Sequence, residues 1–117
     1  MDIKECYEQM QGDYESAMSR LMKEERIKKY LAKFARSCEY DALCEAMAAQ
    51  NWDGVFRATH TMKGVALNMG INKLGESASE LCEMVRNGAP TGDVDAAFEV
   101  VKEDYARTVA AIDALGL

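Results

Sequence analysis

Apolar residues recur every three or four positions along most of this chain, which is the spacing of one face of an α-helix. The longest stripe of this kind lies near the C-terminus and comprises Val94, Ala97, Phe98, Val101, Tyr105, Val109 and Ile112. A shorter one, also expected to face inward, comprises Ile27, Tyr30, Leu31 and Phe34. Pro90 is the only proline among the 117 residues, and strong helix formers are common. The pattern therefore predicts an all-α protein.

Turn and capping residues divide the chain into seven predicted helices. Their approximate bounds are 2–10, 13–22, 23–37, 39–50, 52–69, 72–87 and 93–114. Gly70 is a natural left-handed stop for the fifth helix, and Asp2 and Asn72 are expected to cap the first and the sixth. Because the connections are short, sequential helices should be antiparallel neighbours. We expect residues 1–117 to form a single domain, an up-down four-helix bundle with additional short N-terminal helices.

Charge and composition argue against several classes of function. With 20 acidic and 14 basic residues the formal net charge is −6, so the protein has no general attraction for nucleic-acid phosphates. No apolar run approaches the ~18 residues of a membrane span, and the N-terminus lacks the features of a secretory signal. We therefore expect a cytoplasmic protein that binds neither nucleic acid nor membrane. A monomer is expected because no long heptad seam is present.

The chain contains four cysteines, namely Cys6, Cys38, Cys44 and Cys82. They are scattered along helical segments with no C-x-x-C pair, so we interpret them as reduced thiols that pack as small apolar side chains. Dispersed cysteines and a single histidine also argue against a zinc site. No cofactor is expected in this chain.

His60 is the only histidine, and it lies within the fifth predicted helix. At about 100° per residue, a helical wheel places an apolar cluster opposite His60. This cluster, the expected core face of the helix, comprises Val55, Ala58, Met62, Val65, Ala66 and Met69. A lone histidine is more often structural or incidental, but here the periodicity predicts that the imidazole points away from the core.

Three neighbours of His60 invite a functional interpretation. Gly64 lies about 40° from His60 on the outer face of the helix, where a glycine costs about 1 kcal/mol relative to alanine. It either clears space for an approaching partner or is a tolerated surface glycine. Lys63 at i+3 and Arg57 at i−3 are close enough to act on a ligand of His60. Both side chains are equally well explained as ordinary cations on a solvated face.

Two apolar residues, Phe56 and Leu67, fall within about 40° of His60 on the wheel. Apolar residues that bracket an exposed histidine suggest a contact surface for another protein. Packing of both against an adjacent helix is an equally good interpretation. We assign Phe56, Arg57, Leu67 and Asn68 to a candidate docking face around His60.

The run His60-Thr61-Met62-Lys63-Gly64, followed by Gly70, matches the pattern H-x-x-K-G-x(5)-G. The longer segment from Ala58 to Gly70, with Leu74 after it, resembles histidine-containing phosphotransfer (HPt) domains over their whole signature. The resemblance extends to the length of the chain and to the order of its helices. It implies a four-helix bundle whose exposed histidine carries a phosphoryl group between the aspartates of receiver domains.

The resemblance also implies a role for each matching residue. His60 would be the phosphoryl acceptor and donor, Lys63 would stabilise the phosphate, and Gly64 would give the receiver clearance. Gly70 would end the helix. The partners would be receiver domains of response regulators or hybrid sensor kinases, and Mg²⁺ would belong to the receiver's acidic pocket rather than to this chain.

One position departs from the family pattern. Many HPt domains carry a glutamine on the following helix that hydrogen-bonds near the phosphohistidine. The nearest equivalent by spacing is Cys82, which the periodicity turns inward. Ser79 and Glu83 remain as alternatives for the polar support of His60.

Autophosphorylation is not expected, because the chain has no glycine-rich nucleotide loop and Thr61, not an acidic residue, follows His60. Two other functions remain open. The bundle is either a non-catalytic interaction module that binds a receiver without phosphotransfer, or a helical substrate domain of a larger kinase. The start at Met1 and the end soon after the last helix favour a free-standing protein.

Overall fold

A computed structural model describes residues 1–117 as seven α-helices without a β-strand. The helices are α1 (Ile3–Met10), α2 (Tyr14–Leu21), α3 (Glu24–Ala35), α4 (Glu39–Ala48), α5 (Trp52–Asn68), α6 (Asn72–Met84) and α7 (Val94–Asp113). The all-α prediction is confirmed. None of the helices combines the length and the apolarity that crossing a membrane requires.

Helices α4 to α7 form the bundle. Helix α5 packs against α4 on one side and α6 on the other, and α6 packs against α7. Tyr40 of α4 stacks on Tyr105 of α7, with ring centroids 3.9 Å apart and ring planes 2° apart, so α4 and α7 also meet. The largest fully buried side chains include Leu43, Met62 and Leu81, which lie on three different helices of the bundle.

A buried carboxylate joins α6 to α7. The side chain of Asp104 on α7 is only 2% exposed. Lys73 of α6 donates from Nζ to its Oδ2 at 2.9 Å, and Arg107 donates from Nη1 to its Oδ1 at 2.8 Å. Both oxygens of the carboxylate are therefore neutralised where water is excluded.

The N-terminal helices hold the carboxyl end of α5. Tyr7 on α1 is buried and donates its hydroxyl to the carbonyl of Met69 at 2.7 Å. The backbone amide of Asp13 donates to the carbonyl of Gly70 at 2.7 Å. Gly70 has φ +72°, and a Cβ there would lie 2.5 Å from the Asp13 carbonyl oxygen, so only glycine fits this stop.

One capping prediction is wrong and another is confirmed. Asp2 caps α1 by accepting from the amide of Glu5 at 2.8 Å, as expected. Asn72, by contrast, is the first helical residue of α6, and Ile71 occupies the cap position without a side-chain hydrogen bond. Ile71 is fully buried, so the chain leaves the Gly70 turn directly into the core, and the helix begins one residue earlier than it would with Asn72 as its cap.

Two side chains predicted to face inward are exposed. Val65 of α5 is 40% exposed and Tyr30 of α3 is 41% exposed. They line a groove of about 330 Å³ together with Phe34, Met62 and other residues of α3, α4 and α5. Helix α3 does not close over this side of α5, and both residues lie beside the resulting gap.

Candidate functional site

His60 lies near the middle of α5 with its side chain exposed. The opposite face of the helix is buried and includes Val55, Ala58, Met62 and Ala66. The preceding residue, Thr59, is fully buried and donates its hydroxyl to the carbonyl of Val55 at 2.7 Å. The helix therefore anchors itself on one side and presents the imidazole on the other, as the periodicity predicts.

Phe56, one turn before His60, links the imidazole to the next helix. Its half-buried ring lies 5.7 Å from the imidazole, centroid to centroid, with 37° between the planes. The guanidinium carbon of Arg86, two residues past the end of α6, lies 5.8 Å from the centroid of the same ring. A cation from the turn after α6 is thus one aromatic ring away from the histidine.

The turn after His60 contains Lys63 and Gly64. Lys63 is half-buried, and Gly64 is exposed. A Cβ atom at Gly64 would meet no other group within 4 Å, so internal packing does not require a glycine at this position. The missing side chain leaves open surface directly beside the imidazole.

Helix α6 and the turn after it contribute three further groups to this side of the molecule. Cys82 is fully buried, and its thiol lies 3.9 Å from the Phe56 carbonyl, so the inward orientation predicted for it is confirmed. Glu83 accepts two hydrogen bonds from Arg86, one of them from Nε to Oε2 at 3.0 Å. Those bonds, together with the charges of Arg86 and Lys63, hold the pKa of the Glu83 carboxyl below its usual value. Glu83, one of the two alternatives for polar support of His60, is therefore hydrogen-bonded to Arg86.

The remaining residues of the candidate docking face differ in burial. Arg57 is exposed and lines a shallow groove of about 440 Å³ between α4 and α5, in which Thr61 also lies. Asn68 is exposed at the end of α5. Leu67 is half-buried, and a Cβ at Gly75 of α6 would overlap its side chain. Leu67 therefore packs in the seam between α5 and α6, while Arg57 and Asn68 face solvent.

Sequence reasoning missed Arg86. A signal was available, because Arg86 lies four residues after Cys82 and such residues are neighbours on one face of a helix. A helical wheel of the predicted helix 72–87, drawn with Cys82 as its reference, would have placed Arg86 on the side of His60. Such a wheel cannot predict the contact of Arg86 with Phe56, because that contact depends on how α5 and α6 pack.

The arrangement suits an imidazole that reacts with an anionic partner. An exposed neutral imidazole is a nucleophile, and cations close to it stabilise negative charge on a group that it receives. No three His, Cys, Asp or Glu side chains are grouped so as to hold a metal ion. The site is therefore made of a nucleophile, neighbouring cations and open surface.

Comparison with curated proteins and with solved structures finds no match. A comparison with protein families finds that residues 25–114 match the model described as Hpt domain. The matched region contains α4 to α7, all of α3 except Glu24, and every residue of the site, while α1 and α2 lie before it. Because the match covers more than three quarters of the sequence, the chain belongs to the Hpt domain family.

Proposed function

We propose that this protein is the histidine phosphotransfer component of a multistep phosphorelay and that His60 carries the phosphoryl group. The Hpt domain implies histidine phosphotransfer within such relays. The observation that carries the assignment to His60 is its exposure beside the open surface at Gly64, in a chain with no other histidine. Lys63 one turn away supplies positive charge for the phosphate.

The transfer proceeds in two balanced steps. A ring nitrogen of His60 attacks the phosphorus of an aspartyl phosphate on a receiver domain. The phosphorus–nitrogen bond forms, the phosphorus–oxygen bond to the aspartate breaks, and the aspartate leaves as a carboxylate. A second receiver aspartate then attacks the phosphorus and restores the imidazole. Mg²⁺ in the receiver's acidic pocket neutralises charge during both steps, and this chain supplies the nucleophile and the docking surface.

The chain acts as a carrier without autokinase activity. Its partners are receiver domains of response regulators or hybrid sensor kinases, which it meets as a cytoplasmic monomer. Arg57, Phe56, Leu67 and Asn68 shape the docking face around His60, with Arg57 and Asn68 as its exposed polar members. The acidic balance of the chain supports a protein partner rather than a nucleic acid.

The test is phosphoryl transfer from receivers. Receiver domains encoded in the same genome are labelled with radioactive acetyl phosphate and mixed with the wild-type protein and with His60→Gln. We expect label that is stable to alkali and labile to acid on the wild type, and none on His60→Gln. Circular dichroism confirms that the variant is folded. Absence of label from every receiver would leave an interaction module as the better description, and equal label on His60→Gln would refute the assignment.

A further inference from the structure

A single carboxylate, Glu83, is bonded to a cation on the His60 side of the molecule. Its oxygens accept from Nε and Nη2 of Arg86, and the charge of Lys63 across the α5–α6 seam acts on it as well. The side chains of Glu83 and Arg86 are 54% and 50% exposed. The contact therefore forms in water, where an ion pair is weak and exchanges easily.

Two cations, Lys63 and Arg86, lie on the same side of the molecule as the imidazole. Lys63 is one helical turn from His60, and Arg86 stacks on the Phe56 ring that itself neighbours the imidazole. A phosphorylated side chain carries close to two negative charges and three acceptor oxygens. Such a group competes well against one carboxylate for the same guanidinium.

We propose that Glu83 is an internal counter-ion that holds Arg86 while His60 is unmodified and gives it up to the phosphoryl group when His60 is phosphorylated. This inference rests on the proposed function. Glu83 is a positioning residue, since it acts through Arg86. Its negative charge opposes arrival of the phosphoryl group, and thereby limits how strongly the protein retains the group that it must pass on.

The experiment uses the full chain and phosphoramidate, a small anionic donor that phosphorylates histidine without any receiver. The rate of His60 phosphorylation is followed by ³¹P NMR and by intact mass. Removing the Glu83 charge frees Arg86, so Glu83→Gln should react about twofold to fivefold faster than wild type, the range expected for an exposed ion pair. Glu83→Asp should restore a rate close to that of the wild type.

The chain supplies a matched control on α7. Glu99 accepts from Lys102 three residues later at 3.1 Å, and Lys102 lies 5.3 Å from the centroid of the Phe98 ring. This pair repeats the exposed i, i+3 geometry and the contact of a cation with an aromatic ring, but no histidine lies on α7. Glu99→Gln should therefore leave the rate unchanged.

A spectroscopic readout separates exchange of partners from a general charge effect. On phosphorylation of wild type, the Nε–H resonance of Arg86 should move as its acceptor changes from carboxylate to phosphate, while that of Arg107 stays in place. In Arg86→Met the acceleration caused by Glu83→Gln should shrink. An unchanged rate in Glu83→Gln or a stationary Arg86 resonance would overturn the counter-ion role while leaving phosphorylation of His60 intact. Failure of wild type to react at His60 would instead count against the proposed function.

Discussion

Helix α6 takes part in two charge clusters, each built around one carboxylate. Near its amino-terminal end, Lys73 binds Asp104, whose side chain is 2% exposed. Near its carboxyl-terminal end, Glu83 binds Arg86, and the Glu83 side chain is 54% exposed. Both clusters pair a carboxylate with basic side chains, but the access of water to the carboxylate differs.

That difference in burial assigns the clusters opposite tasks. In the interior, a carboxylate that loses its cations has no water to replace them, so separating Asp104 from Lys73 is costly and the pair stabilises the contact of α6 with α7. At the surface, water and incoming anions compete with the carboxylate, so the Glu83 cluster can change partners at little expense in stability. Helix α6 therefore takes part in a buried, lasting ion pair near one end and in an exposed, exchangeable ion pair near the other.

The largest effect on stability should follow removal of the buried charge. Asp104→Asn leaves Lys73 and Arg107 without a counter-ion, and both cations are partly exposed, at 36% and 28%. We expect the free energy of unfolding to fall by about 2 to 3 kcal/mol, less than for a fully buried pair. Urea denaturation measures the loss. Glu83→Gln is the matched control, and its urea midpoint should equal that of wild type; equal midpoints for the two variants would remove the distinction between the clusters.

Two glycines extend the comparison from charge to shape. Gly75 of α6 is buried, and a Cβ there would overlap the side chain of Leu67. Although alanine is the better helix former, Leu67 must rotate to admit it, so Gly75→Ala should lower the free energy of unfolding by a net ~1 kcal/mol. Thermal unfolding followed by circular dichroism gives the sign directly. A gain in stability would show that the α5–α6 interface accommodates the added methyl group without strain.

Gly64 should respond with the opposite sign and the smallest magnitude. Because a Cβ there meets nothing within 4 Å, Gly64→Ala should raise the free energy of unfolding by about 0.5 to 1 kcal/mol. The same thermal measurement applies.

Gly64 weakens α5 although packing does not require a glycine there, which indicates that a partner uses the open surface beside it. Gly64→Leu should therefore impair transfer from a phosphorylated receiver while the bundle stays folded. Unimpaired transfer in that variant would show that a partner does not need the clearance.

Local periodicity predicted much of this molecule, and its failures have a common cause. The outward orientation of His60 depends only on residues of its own helix, and it was correct. The inward orientation of Val65 and Tyr30 was wrong because exposure there depends on whether α3 covers α5. The place of Arg86 beside Phe56 is likewise a property of two packed helices, and no single-helix pattern contains it.

The hydrogen bonds from α1 and α2 to the end of α5 have a consequence for where the folded unit begins. Tyr7, Asp13 and Arg20 donate to the carbonyls of Met69, Gly70 and Leu67, yet all three donors precede the region that matches the family. A chain trimmed to residues 25–114 would keep the signature and lose the groups that finish its histidine helix. The segment that matches the family model is thus shorter than the segment whose hydrogen bonds complete α5, and the first 24 residues contribute donors to that helix end.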